Sequence, residues 1–151
     1  MTRDEFEELR RSPKTIEGDI AFYPYEQDAE VWVFEGIKVE NHLGYTLFLN
    51  GAYDPRTGYI KFNFALKAEG RRQSGPICRL EVRGKVHRDA GRTHKQDLRE
   101  PRCMRRNLPH AVARDELEKL GLRQVWETLC RQANIDHTGQ FTEPPVKGRG
   151  K

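Results

Sequence analysis

No stretch of this 151-residue chain approaches the roughly 20 consecutive apolar residues needed to cross a bilayer. Its first eleven residues are acidic and amphipathic, without the charged-then-apolar order of a secretory signal. The expectation is a cytoplasmic protein with no membrane partner. Cysteine is scarce: Cys78, Cys103 and Cys130 make three, an odd number that argues against a disulfide framework. Cys130 falls in an apolar helical pattern and Cys78 near a strand start, so both read as small buried hydrophobes, whereas Cys103 has polar and basic neighbours. Internal repeats, a helix-turn-helix, a glycine-rich phosphate loop and the aromatic motifs of the common RNA-binding sheet domain are all missing. Aromatic and aliphatic residues are nevertheless frequent from Ile16 to Val86. The chain is long enough to bury a core without a staple, and it reads as one domain.

Charge is present in excess, and it is concentrated. Residues 71–114 hold thirteen Lys and Arg against four acids, a net of +9, while the whole chain is only +4. Residues 1–70 carry eight bases and thirteen acids, and residues 115–151 balance at six each. An acidic first part can pair with a basic middle inside one fold. A local excess this large also calls for an anionic partner. Nucleic acid, RNA or DNA, is the commonest, because each phosphate contact releases counterions. The bases assigned to phosphate contact are Arg71, Arg72, Arg79, Arg83, Lys85, Arg88, Arg92, Lys95, Arg99, Arg102, Arg105 and Arg106.

The periodicities predict an α+β domain over residues 1–137. Thr2 with Glu5 forms a capping-box pattern, and Phe6 and Leu9 share a face, so a short helix spans about 3–11 and stops at Ser12-Pro13. An antiparallel sheet of about five strands follows. Its predicted strands are 19–25, 30–40 (with a bulge or bend at Gly36), 45–49, 59–67 and 77–86, and Asn50-Gly51 and 54–58 are read as turns. In 59–67 the residues Ile60, Phe62, Phe64 and Leu66 alternate with Tyr59, Lys61, Asn63 and Ala65, which gives the sheet one core face and one wet face. Residues 87–109 lack any period and read as a long basic loop between the last strand and a longer C-terminal helix. That helix is signalled by Asp115/Glu118 capping and by the stripe Leu122, Val125, Trp126, Leu129 and Cys130. The Pro/Gly/Lys-rich residues 138–151 read as a disordered basic tail.

Three chemistries compete for the loop. His87 and His94 offer an acid and a base for phosphodiester cleavage, with Asp97 to orient one imidazole and the neighbouring bases to hold developing phosphate charge. RNA supplies its own 2′-hydroxyl nucleophile, so the enzymatic form would be a metal-independent ribonuclease. His87, His94, Cys103 and His110 contain zinc-type donors, although their spacing matches no familiar zinc motif. Strand carboxylates such as Asp19, Glu35 and Glu81 followed by Lys85 fit a magnesium-nuclease pattern poorly, because Arg83 stands where the lysine belongs. For binding alone, Tyr59, Lys61, Arg79 and Arg83 on the wet face would meet bases and phosphates. The alternative to nucleic acid is a non-enzymatic accessory, antitoxin-like or inhibitor protein whose basic loop meets an acidic protein surface. A zinc-stabilised domain is a further alternative.

Overall fold

A computed structural model describes residues 1–67, 75–85, 91–97 and 110–145. In chain order the elements are α1 (Arg3–Arg11), β1 (Lys14–Ile16), β2 (Ile20–Ala21), β3 (Tyr23–Tyr25), β4 (Asp28–Asn41), β5 (Leu47–Asp54) and β6 (Tyr59–Leu66). They continue with β7 (Gly75–Val82), β8 (His94–Asp97), β9 (His110–Ala113), a 3-10 turn (Asp115–Leu117), α2 (Leu122–Gln132), β10 (Ile135–His137) and β11 (Phe141–Thr142).

The domain is α+β, but the sheet is larger than the expected five antiparallel strands. Nine strands join in the order β10-β1-β4-β5-β6-β7-β8-β9, with β3 added along β4. It is mixed, because β1 runs parallel to β10, and β11 pairs parallel with β2 in a separate two-stranded ribbon. Parallel partners cannot be joined by a tight turn and come from opposite ends of the chain, so no local pattern announces them. The expected structureless loop of 87–109 carries one short strand, β8, which pairs with β7, and β9 begins just past its end and pairs with β8.

The helix α1 forms as its sequence dictates. The Thr2 side chain accepts from the Glu5 N–H at 3.1 Å while the Glu5 carboxylate accepts from the Thr2 N–H at 3.1 Å. At its other end the buried Lys14 ammonium donates to the carbonyls of Leu9, Arg10 (3.1 Å) and Ser12 (2.7 Å), satisfying orphan acceptors of the last turn. Burial, and after it the charge of Arg10, lowers the Lys14 pKa to about 8. The second capping signal behaves differently. Asp115 begins only the 3-10 turn, and α2 starts afresh after Gly121, whose N–H donates to the Gln124 side chain.

Phe6, Leu9, Leu122, Val125, Trp126 and Leu129 of the helices pack on the face bearing Phe34, Leu49, Ile60, Phe62, Leu80 and Val82. An aromatic chain ties the layers together. Phe22 meets Phe34 edge-on at 5.0 Å, Phe62 lies 5.4 Å from Trp126, and Trp126 stacks on Phe141 at 5.3 Å. Phe141 falls in the segment expected to be a disordered tail, yet it is buried and paired with Ile20, so the fold extends beyond residue 137. Asn50-Gly51, read as a turn, lies inside β5 instead. A Cβ at Gly51 would overlap the Phe34 ring, so the glycine serves close packing across the strand pair. The bulge expected at Gly36 is present. Glu35 and Gly36 together oppose Asn50, whose side chain accepts from the Gly36 N–H at 2.8 Å, and φ there is +69°.

Candidate nucleic-acid interface

Register fixes which ends of the strands meet. β6, β7, β8 and β9 alternate in direction, so Leu66, Gly75, Asp97 and His110 all terminate at one end of the sheet. Asn41 ends β4 there too, and it pairs with Lys14 immediately after α1, which brings the basic last turn of α1, Arg10 and Arg11, to the same end. The sequence joining Leu66 to Gly75 contains Arg71 and Arg72, and that joining Asp97 to His110 contains Arg99, Arg102, Arg105 and Arg106. These six arginines lie outside the described residues, as do His87, Arg88 and Cys103. The strand ends from which the six depart are nonetheless fixed side by side.

The opposite end is knit by charge. In the tight 54–58 turn Arg56 binds Asp54 at 2.9 Å and Asp28 at 2.9 Å. Arg83 turns away from the wet face. Its Nε donates to the Gly58 carbonyl at 2.8 Å, and its two terminal nitrogens donate to the carbonyls of Glu118 and Leu120. Arg92 pairs with Glu118 at 3.0 Å, and the buried Thr93 hydroxyl donates to the same carboxylate while accepting from the Arg83 N–H at 3.0 Å. Arg114 pairs with Glu116 and donates to the Gln132 side chain at 2.8 Å. Lys85 is exposed. Thr93 and Glu118 are structural residues that sequence reasoning missed, and no local signal could pair positions 25 residues apart.

The outward face of the sheet carries a polar row. Lys61, Glu81 and His94 stand opposite one another on β6, β7 and β8, and Asn50, Asn63 and Arg79 form the next row. Arg79 Nε lies 3.4 Å from the Asn63 side-chain oxygen. Tyr59 closes the first row. Burial, and after it the Glu81 charge, raises its phenol pKa so that it stays protonated. Burial also lowers the pKa of Lys61, helped by Arg79. Tyr59 and Lys61 thus share the outward face, but Tyr53 does not, because its cross-strand partner is the buried Ile60.

His94 belongs to this row but is closed in. It is 2 % exposed, with Nδ1 3.1 Å from the Gly91 carbonyl and Nε2 3.9 Å from the Glu81 carboxylate. Nδ1 can only donate to that carbonyl, which fixes the tautomer and aims Nε2 at Glu81. The Asp97 side chain, expected to orient an imidazole, lies outside the described residues. The backbone of β9 pairs His110 with Asp97, and the His110 side chain too lies outside the described residues. Among the described residues no group of three His, Cys, Asp or Glu lies close enough to hold a metal ion. Lys95 points to the core side of β8 opposite Leu80, away from Arg79.

No protein-family model matches this chain, and neither a curated protein nor a solved structure does.

Proposed function

We propose that the protein binds nucleic acid, RNA or DNA, through phosphate contacts at the end of the sheet where β6–β7 and β8–β9 are joined, and that it binds without cutting. The observation that carries this reading is the register, which sets the departure points of Arg71, Arg72, Arg99, Arg102, Arg105 and Arg106 side by side near Arg10 and Arg11. A cluster of planar, permanently charged guanidinium groups suits phosphate oxygens better than it suits any uncharged partner. Lys61 and Arg79, with the amides of Asn50 and Asn63 between them, extend the polar surface along the outward face and would hold a backbone passing over it.

Binding is favoured over cleavage because an imidazole that is 2 % exposed and held between Gly91 and Glu81 cannot reach a 2′-hydroxyl. The test begins with protein purified at low salt and its ultraviolet absorbance ratio, followed by labelled RNA and DNA strands. Retained nucleic acid, strands that come back intact, and an affinity that falls steeply with salt are the expected results. Cleavage abolished by His94→Ala would overturn the non-cutting part. No binding at low salt, together with a nuclease-resistant pull-down of an acidic protein, would overturn the whole reading.

A further inference from the structure

Asn50, Asn63 and Arg79 stand in one row across β5, β6 and β7, and Lys61 stands on the same face in the neighbouring row. All four side chains are half-buried. Their hydrogen bonds fix what the patch can offer. The Gly36 N–H at the β4 bulge donates to the Asn50 side-chain oxygen at 2.8 Å, and Arg79 Nε donates to the Asn63 side-chain oxygen at 3.4 Å. Both donors can only donate, so each amide turns its oxygen to the fold and keeps its NH2 for a ligand. Among the described residues, neither NH2 group, neither terminal nitrogen of Arg79, nor the Lys61 ammonium has a hydrogen-bond acceptor or an ion pair. The nearby carboxylate, Glu81, lies 3.9 Å from His94 Nε2, and no ion pair joins it to Lys61 or Arg79. The patch is an array of donors whose acceptors come from solvent or from a ligand.

Base edges differ in what they bring to such an array. Along the edge that faces the major groove, guanine and uracil or thymine present acceptors, whereas adenine and cytosine carry an amino group, which would be set donor against donor. A duplex holds that edge out of reach. The major groove of B-DNA admits one helix or a two-stranded ribbon, and that of A-form RNA is narrower still. The row on β5, β6 and β7 is flanked by β4 on one side and β8 on the other, so it cannot enter a groove. We infer that the outward face reads the keto bases, guanine and uracil or thymine, of an unpaired nucleic-acid strand. The NH2 groups of Asn50 and Asn63 donate to base oxygens, and Arg79 and Lys61 donate to a second acceptor of the base or to the adjoining phosphate. This rests on the phosphate-binding reading above and adds to it the class of strand and base. Phosphate contact alone favours a duplex, whose charge is denser, so the two can be told apart.

The full-length chain is titrated with short labelled oligonucleotides of uridylate, cytidylate, thymidylate and deoxycytidylate, and with a duplex of equal length. The uracil or thymine oligonucleotide is expected to bind about tenfold tighter than its cytosine counterpart, and the single strand tighter than the duplex. Whichever of the ribo and deoxy pairs binds tighter identifies the source. Asn63→Asp keeps an oxygen for Arg79 Nε but sets an acceptor where the NH2 stood. Its added charge weakens every oligonucleotide alike, so the ratio is read, and the preference for uracil over cytosine should disappear. A merely structural Asn63 would leave that ratio unchanged. Uridine and cytidine carry no phosphate and test the bases alone. Uridine should shift the Asn50 and Asn63 side-chain amide resonances, and cytidine should not. Equal affinity for uracil and cytosine oligonucleotides with the salt dependence intact, or equal shifts with the two nucleosides, would overturn this inference and leave phosphate binding standing. No binding of any oligonucleotide at low salt would remove both.

Discussion

The two ends of the sheet are served by the same residue type, and at one of them its donors are already taken within the fold. At the end where β5 turns into β6 and β7 leads toward β8, the arginines are structural. Arg56 is bound to Asp28 and Asp54, Arg83 to three backbone carbonyls, Arg92 to Glu118 and Arg114 to Glu116. At the other end the connecting sequences 68–74 and 98–109 hold six arginines against Glu69 and Glu100. A guanidinium that already donates to carbonyls or carboxylates has little left to offer a phosphate, because those donors are directional and few. The lesson is that the +9 of the middle segment is not one property. Part of it is consumed in closing the fold, and much of the remainder lies in the two connections that we propose meet phosphate.

Substitutions can break this contrast. The largest stability loss is expected for Arg83→Ala, which strands the Gly58, Glu118 and Leu120 carbonyls and should cost about 1–3 kcal/mol in urea denaturation. Affinity for nucleic acid should not change, and a large affinity loss in the folded variant would show that the closed end also binds. A similar but smaller effect, about 1–2 kcal/mol, is expected for Thr93→Val, which leaves the Arg83 N–H without its hydroxyl acceptor and Glu118 without a donor.

The pH dependence near α1 sharpens the contrast from the other side. The native Lys14 pKa of about 8 lies below its ordinary 10.5. Between those values the unfolded chain holds a proton that the native chain has released, so this group makes stability rise with pH across that window and leaves it flat below. Thermal melts from pH 7 to pH 10 should show the rise, and Lys14→Met should remove it. The smallest effect belongs to Arg56→Ala. Its guanidinium is half exposed and its pair with Asp28 faces solvent, although Asp54 is buried, so the urea midpoint should fall by less than for Thr93→Val.

Much of the core was legible in the residues. The Thr2/Glu5 capping box, the Ser12-Pro13 stop, the bulge at Gly36 and the alternation from Tyr59 to Leu66 each depend on neighbours within a few positions, and each appears in the fold. What could not be read depends on distance. β1 and β10 are short, and each becomes a strand only because the other lies beside it across 121 residues of sequence. Phe141 looked like tail because its neighbours are proline, glycine and lysine. Its place is set by Trp126 and Phe22, which flank its ring. At the site, charge density was visible from composition. Which arginines the fold uses for itself was not, because Arg83 is claimed by carbonyls up to 37 positions away. His94 looked reactive for the same reason. Its neighbours in sequence are polar, but its strand position buries it opposite Glu81.

The most direct test is the salt dependence of RNA and DNA affinity, measured for the natural chain beside a chain with Arg99, Arg102, Arg105 and Arg106 all changed to Gln. Binding through the open end predicts a steep fall of log affinity with log salt in the natural chain, and a slope shallower by about 0.7–0.9 for each arginine that touches phosphate. Unfolding stability should not differ between the two chains. Identical slopes, or affinity that survives loss of all four charges, would contradict phosphate recognition at this end of the sheet.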